Sequence, residues 1–124
     1  MKMLLSSFLL RWGASVVGLW VAAAVLGADK LYFGGEISTL IVGGLLLALV
    51  NMLIKPFIVF LSLPAILITL GLFMLIVNGL TVLIVSWLYD PFDVAGLWAA
   101  ILAGIIVGLV NYLISLAVKD LGKA

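Results

Sequence analysis

Apolar residues fill four long stretches of the chain, and short polar segments separate most of them. The first stretch covers residues 4–27, and the segment GADKLYFGGE that follows it combines glycines with three charges, as loops do. The later stretches cover 37–55, 64–89 and 97–118. A helix that crosses the hydrocarbon core of a bilayer needs about 20 apolar residues. The pattern therefore predicts an all-α integral membrane four-helix bundle, a single transmembrane domain over residues 1–124.

The second and third stretches are joined by VNMLIKPFIVFLSLP, which carries an asparagine, a lysine and two prolines. Pro56 has no backbone N–H to donate and disfavours helical geometry at Lys55, so a helix end or sharp kink is expected at this dipeptide. Pro64 suits the first turn of the third span. The apolar residues between the prolines are too few to cross a bilayer, and we expect a short interfacial helix or turn within a hairpin.

Composition agrees with a membrane location and excludes most chemistry. The chain is 68% hydrophobic and 9% charged, with a mean hydropathy of +1.53, whereas soluble domains carry about a quarter charged residues. A net charge of +1 provides no basic field for nucleic acid. The sequence has no Cys and no His, and its serines and acids form no catalytic spacing, so we expect no enzyme activity, cofactor or metal site.

The first stretch has two readings. Residues 1–27 could be a secretory signal peptide, because Val25 and Gly27 offer a small-residue cleavage site. Arg11 interrupts the apolar region, which favours an uncleaved first span.

The positions of lysine and arginine predict the orientation. In a four-span arrangement only Lys30 lies on one side, and the other five cations lie on the opposite side. By the positive-inside rule both termini and the hairpin are cytoplasmic, which indicates a multi-pass membrane protein. The aromatic residues near the outer loops are expected to anchor the interface: Tyr32, Phe33, Trp87, Tyr89, Phe92 and Trp98.

An internal repeat relates the two halves of the chain. IVGGLLLALVNMLI (41–54) and ILAGIIVGLVNYLI (101–114) share seven of fourteen residues, including a glycine and the triplet LVN. Each half would contain two spans, so the copies would be related by an axis along the membrane normal. The sequence thus predicts a 2+2 tandem repeat.

Small residues recur on one face of three predicted spans. They are expected to permit close helix approach, either inside one bundle or between protomers, and the sequence leaves both open. The helix-packing candidates are Gly18, Gly44, Ala48, Gly104 and Gly108.

Three asparagines lie within the spans, at Asn51, Asn78 and Asn111. An unpaired amide in hydrocarbon costs a few kcal/mol, so each should face the bundle, either to join helices or to line a polar path. Lys55 lies one turn after Asn51 and, like Arg11, is expected to extend to lipid phosphates at the cytoplasmic interface.

The central motifs resemble those of phage holin family 4, superfamily IV. These motifs are Asn51, Lys55 with Pro56, Leu63 with Pro64, TLGLF at 69–73, Asn78, SWL at 86–88 and FDVAGLWAAILAG after the loop. The resemblance covers about residues 37–118 and implies a small four-span bacterial membrane protein.

Two function classes follow. One is a structural, accessory or envelope-maintenance membrane protein or a subunit of a larger membrane complex, and we favour this class because the spans carry isolated amides and no polar stripe along one helix. The alternative is a holin-like oligomeric pore or permeability protein, which is what the holin resemblance implies. The expected partners are membrane lipids and either further copies of the chain or other membrane subunits, and nucleic acid is not expected.

Overall fold

The computed structural model describes the backbone of residues 2–123 and the side chains of residues 6–119. Within these residues the chain is all-α apart from one two-residue strand pair. The helices are α1 (Lys2–Leu26), α2 (Ile37–Leu53), α3 (Lys55–Leu61), α4 (Leu63–Ile68), α5 (Phe73–Leu88) and α6 (Leu97–Lys123), and the strands are β1 (Leu31–Tyr32) and β2 (Asp93–Val94).

Four of these helices form the bundle, and α3 and α4 make the hairpin between its halves. Helix α6 packs against both α1 and α5, α1 packs against α2, and a smaller contact joins α2 to α5. The α1–α2 and α5–α6 connections meet at one end, where β1 and β2 pair antiparallel with Leu31 opposite Val94. We call this end, residues 27–36 and 89–96, the loop end. The β1–β2 pair fastens the two halves together there.

The buried core begins directly beneath the strand pair. Phe92 is fully buried, and the side chains of Leu31 and Leu40 are no more than 2% exposed. Phe92 therefore does not belong to the expected aromatic anchors, because its ring fills the space between the helices. Trp87 and Trp98 remain largely exposed on the outer surface of the bundle. The core continues away from the loop end as one cluster of small and aliphatic residues that includes Leu19, Ala22, Leu47, Val50, Val82, Ala100, Ala103 and Val107.

Glycines allow the helix backbones to touch inside the protomer. A Cβ added to Gly44 would lie 2.9 Å from the backbone nitrogen of Val16, across the α1–α2 contact. A Cβ added to Gly104 would lie 2.6 Å from the backbone nitrogen of Gly79, across the α5–α6 contact. Gly18 approaches Val107 on α6. These small-residue positions are thus occupied by contacts within one bundle.

The predicted third span, 64–89, is not one continuous helix. Helix α4 ends at Ile68, and the backbone turns through left-handed conformations at Leu70 (φ 56°) and Gly71 (φ 93°) before α5 begins. The Thr69 hydroxyl donates to the carbonyl of Ala65 at 2.8 Å and accepts a hydrogen bond from the backbone N–H of Phe73 at 3.0 Å. One side chain thereby ends α4 and caps α5.

The hairpin also differs in detail from the expectation. The chain bends by 47° between α2 and α3, centred on Ile54, one residue before the Lys55–Pro56 dipeptide. Both prolines lie in first turns, Pro56 in α3 and Pro64 in α4. Pro64 consequently lies in the first turn of the short α4, and the longer helix α5 begins only at Phe73.

Fewer helices satisfy the length of a membrane span than the four predicted. Among the described residues Ser6–Leu26 and Leu97–Lys119 are long and apolar enough, and α2 with α3 forms a third candidate if the bent pair is counted as one span. Helix α5 is apolar but has 16 residues, roughly 24 Å of rise. The break after α4 is the reason that the third stretch falls short.

Candidate polar site at the hairpin end of the bundle

A polar cavity lies between α1, α2 and α6 at the end opposite the strand pair. Its volume is about 300 Å³, and Arg11, Asn51, Lys55 and Asn111 all line it. The sequence singles out each of these residues separately, and the structure brings them to one place. They meet because Arg11 lies in the N-terminal half of α1, far from the loop end. Asn51 and Asn111 lie equally far from the loop end, in equivalent turns of α2 and α6.

The cavity has a second lobe of about 290 Å³ between α2, α5 and α6. Asn51, Lys55 and Asn111 line both lobes, so they form the boundary between them. Asn78 on α5 and Gly108 on α6 line only the second lobe. We call the two lobes together the polar cavity.

One hydrogen bond crosses this cavity. Lys55 Nζ donates to Asn78 Oδ1 at 2.6 Å, joining the start of α3 to α5. The Lys55 side chain is therefore half-buried and directed into the bundle, which corrects the expectation that it extends outward to lipid phosphates. An ammonium has three N–H donors, so two remain for another acceptor. The bond also gives Asn78 the partner that an intramembrane amide requires.

Asn51 leaves one hydrogen-bonding atom unused. Its Oδ1 is buried and has no hydrogen-bond partner within the described part of the chain. A buried acceptor without a donor costs roughly 1–3 kcal/mol. Because Asn51 lines both lobes, a rotation of its side chain would bring this oxygen within reach of a donor inside the cavity.

The charge in the cavity is of one sign. Arg11 and Lys55 are cationic, and no acid occurs among the described residues that line either lobe. The acids Asp29, Glu36 and Asp93 lie at the loop end. Lys55 is half-buried and Arg11 lies at the exposed edge of the cavity, so the arrangement suits binding of an anion that enters from outside the bundle. It offers no base or nucleophile pair for catalysis.

An apolar groove adjoins the polar cavity on the hairpin side. It is wide, about 490 Å³, and it is lined by Pro56, Val59, Phe60 and Leu63 together with the cavity residues Asn51 and Lys55. We call this the hairpin groove. Most of its wall comes from α3, so the kink after α2 is what places an apolar surface beside a cationic one.

The depth of the site follows from helix rise. Asn51 and Asn111 each lie roughly 21 Å along their helices from the loop end, and Arg11 lies roughly 22 Å from it along α1. The hydrocarbon core is about 30 Å thick. With the loop end at one interface, the cavity occupies the third of the bundle nearest the other interface.

Several lining residues escape sequence reasoning. Ser15, Thr81 and Ser115 contribute hydroxyl groups to the lobes, and Tyr112 contributes a phenol. The available signal is the helical spacing, since Ser115 follows Asn111 by one turn just as Lys55 follows Asn51. The structure leaves Gly108 less enclosed than Gly104, with Asn78 Nδ2 3.4 Å from an added Cβ.

Comparison with known protein families shows to which family the chain belongs. Residues 6–113 match the family described as mycobacterial four-span phage holins of superfamily IV. The chain belongs to this holin family. The matched range includes Arg11, all three asparagines and the whole hairpin of this holin-family protein.

Two curated bacterial proteins resemble this holin-family chain along nearly its whole length. The uncharacterized protein SCO3922 of Streptomyces coelicolor is 36% identical, over 97% of this chain and 98% of its own. The uncharacterized membrane protein YvlD of Bacillus subtilis is 28% identical, over 90% of this chain and 96% of its own. No solved structure matches the chain. Together with the apolar helices, the family relationship identifies a holin-like bacterial membrane protein.

Proposed function

We propose that this holin-family protein is a non-enzymatic structural or accessory protein of the bacterial cytoplasmic membrane. It would act in envelope maintenance or as a subunit of a larger membrane complex. The observation that carries the proposal is that the polar cavity ends blindly. Between it and the loop end lies the apolar core, which is closed by Phe92 and Leu31 beneath the strand pair.

A blind cavity is a poor conduit. An ion that left the cavity toward the loop end would enter a region in which Leu19, Leu47 and Val82 are buried. Moving a charge through such a dry apolar layer costs many kcal/mol. The only buried polar residues among those described are Ser15, Thr39 and Thr81, which are too few and too scattered to form a polar path. A single bundle is therefore expected to be impermeable.

Dye release from vesicles tests this proposal. We expect vesicles that contain the purified full chain to retain carboxyfluorescein as well as vesicles without protein. Phe92→Ala opens the apolar layer beneath the strand pair and should therefore release dye. Trp98→Ala, which removes an exposed aromatic side chain, is its control and should not release dye. Release by the wild-type chain that rises with the protein-to-lipid ratio would contradict an accessory role.

A holin-like pore built from several copies is the second candidate, and family membership favours it. The small residues that could have joined protomers argue against it, because Gly18, Gly44, Ala48 and Gly104 are buried within one bundle. An oligomer would have to use other surfaces, such as the exposed apolar side chains of α6. Blue-native electrophoresis combined with cross-linking separates the candidates, since a pore requires a defined oligomer and an accessory subunit does not.

The proposal includes an orientation with both termini and the hairpin in the cytoplasm. Arg11, Lys55 and Lys119 lie toward the cavity end, and only Lys30 lies at the loop end, which supports this direction by the positive-inside rule. The chain has no cysteine, so labelling of one introduced cysteine shows on which side of the membrane that residue lies. Asp93→Cys should react with an impermeant maleimide added outside intact cells. Reaction only after the cytoplasmic face is exposed would reverse the orientation.

The proposal also includes four membrane crossings arranged as a 2+2 repeat. Gly44 and Gly104 occupy corresponding positions of the two copies, and each touches the backbone of the preceding long helix, at Val16 and at Gly79. The pairing of β1 with β2 relates the two loops in the same way. These correspondences support an approximate two-fold axis along the membrane normal.

A further inference from the structure

We propose that the polar cavity and the hairpin groove together form a binding site for one anionic glycerophospholipid. The phosphate would lie between Arg11 and Lys55, a hydroxyl of the headgroup would donate to Asn51 Oδ1, and an acyl chain would follow the hairpin groove. This inference concerns a site in the single bundle and does not depend on the accessory or pore assignment.

The first argument is charge. Arg11 and Lys55 line one cavity in which no described side chain is acidic, so a bound anion would complete the charge pairing there. Arg11 makes no hydrogen bond or ion pair with the described side chains, 6–119, and its guanidinium has five N–H donors. Lys55 uses one donor for Asn78 and keeps two. These groups match the acceptor oxygens of a phosphate.

The second argument is the continuity of a polar and an apolar surface. Asn51 and Lys55 line both the polar cavity and the hairpin groove, so the two spaces meet at these side chains. Val59 and Phe60 continue the wall of the groove away from the charge. A free phosphate ion would occupy only the polar part. A lipid fills both parts, because it joins a charged headgroup to a hydrocarbon chain.

The third argument is depth. Arg11 and Asn111 lie roughly 21–22 Å from the loop end, which is about 8–9 Å inside the far boundary of a core about 30 Å thick. The long side chains of Arg11 and Lys55 can extend across part of this distance toward the lipid phosphates. A bilayer lipid that enters sideways along α3 would therefore meet the two cations with its phosphate drawn toward the bundle.

The fourth argument is the unused acceptor. Asn51 Oδ1 is buried without a hydrogen-bond partner in the described part of the chain, and because Asn51 lines the cavity, a rotation of its side chain would present this oxygen to a donor there. Phosphatidylglycerol carries two hydroxyl groups beyond its phosphate, whereas phosphatidylcholine carries a trimethylammonium group with no N–H or O–H. The site should therefore prefer phosphatidylglycerol on both charge and hydrogen bonding.

Native mass spectrometry of the full chain, released from micelles, measures this preference. We expect dioleoylphosphatidylglycerol to remain bound with a lower Kd than dioleoylphosphatidylcholine. Arg11→Gln and Lys55→Gln should each raise the Kd for phosphatidylglycerol about fivefold, as loss of one cation near a lipid surface implies. Glutamine at 55 keeps an N–H that can donate to Asn78, so this variant should fold. Lys119→Gln removes the same charge from an exposed position outside the cavity and should leave the Kd unchanged.

A second pair of variants tests the acyl chain without altering charge. Val59→Trp fills the hairpin groove and should weaken binding of phosphatidylglycerol, whereas Leu61→Trp, on the exposed side of α3, should not. Equal Kd values for Arg11→Gln, Lys119→Gln and the wild type would overturn the site. Inorganic phosphate that displaces the lipid completely at equal concentration would overturn the lipid assignment, as would unchanged binding in Val59→Trp.

Discussion

The closest backbone approach in the bundle gives the sharpest prediction, which is the effect of Gly104→Ala. The added methyl group would lie 2.6 Å from the nitrogen of Gly79 and 2.7 Å from the carbonyl carbon of Asn78. Both atoms belong to the α5 backbone and cannot rotate away. Helices α5 and α6 must therefore separate before the alanine fits.

The magnitude follows from this separation. Ordinary contact begins at 3.4 Å, so the helices must move apart by about 0.8 Å at this point. A gap of 0.5–1 Å forfeits a quarter to a half of the dispersion energy of the atoms concerned. In lipid this packing is the main force that holds helices together. Overpacking of this kind costs about 1–3 kcal/mol, and we expect a loss of about 2 kcal/mol.

Gly108→Ala is the matched control on the same helix. Its methyl group would lie 3.4 Å from Asn78 Nδ2, the far end of a side chain. Both substitutions add the same helix propensity, up to about 1 kcal/mol, so the difference between the two variants isolates the contact with α5. Unfolding in mixed micelles by sodium dodecyl sulfate, followed by circular dichroism, measures both free energies of unfolding.

Equal free energies of unfolding for Gly104→Ala and the wild type would show that α5 and α6 do not touch at this point. Equal losses in the two variants would refute the reasoning as well, because the distances at positions 104 and 108 differ.

Three further predictions use the same unfolding assay. Lys55→Met and Asn78→Leu should show a coupling of about 1 kcal/mol in a double-mutant cycle, and additive losses would mean that their hydrogen bond contributes nothing. Gly71→Ala should cost about 1 kcal/mol through its positive φ alone, since no atom lies within 4 Å of the added Cβ, and an unchanged stability would argue against the turn after α4. Phe92→Ala should cost about 3–5 kcal/mol because the ring is fully buried, whereas a loss below 1 kcal/mol would indicate an interfacial side chain.

Some features of the fold could be predicted because local chemistry determines them. Glycines and charges mark both loops at the loop end, and the predicted starts at 37 and 97 coincide with the first residues of α2 and α6. The kink near Pro56 likewise follows from the missing N–H of proline. The sequence predicts one span through Thr69–Gly71, because the surrounding residues are apolar and no proline marks a break, whereas the structure interrupts the helix there.

Features that depend on a distant partner could not be predicted. Lys55 points inward because Asn78, distant in sequence, offers an acceptor, and a lysine at a span end ordinarily extends to lipid phosphates. Phe92 is buried because β1 and β2 hold its loop over the core. Spacing identifies Gly104 as a packing residue, but only the folded bundle shows that its neighbour is Gly79 within the same chain.

The strand pair makes the bundle mechanically unequal at its two ends. Backbone hydrogen bonds between β1 and β2, together with the bond from Ala95 N–H to the carbonyl oxygen of Lys30 at 2.9 Å, hold the halves together at the loop end. At the other end the side-chain bond from Lys55 to Asn78 links α3 to α5. We therefore expect a hinge motion of the bundle, in which the strand pair is the pivot and α2 and α5 move apart at the cavity. Such a motion would change the width of the cavity without disturbing the seal over Phe92.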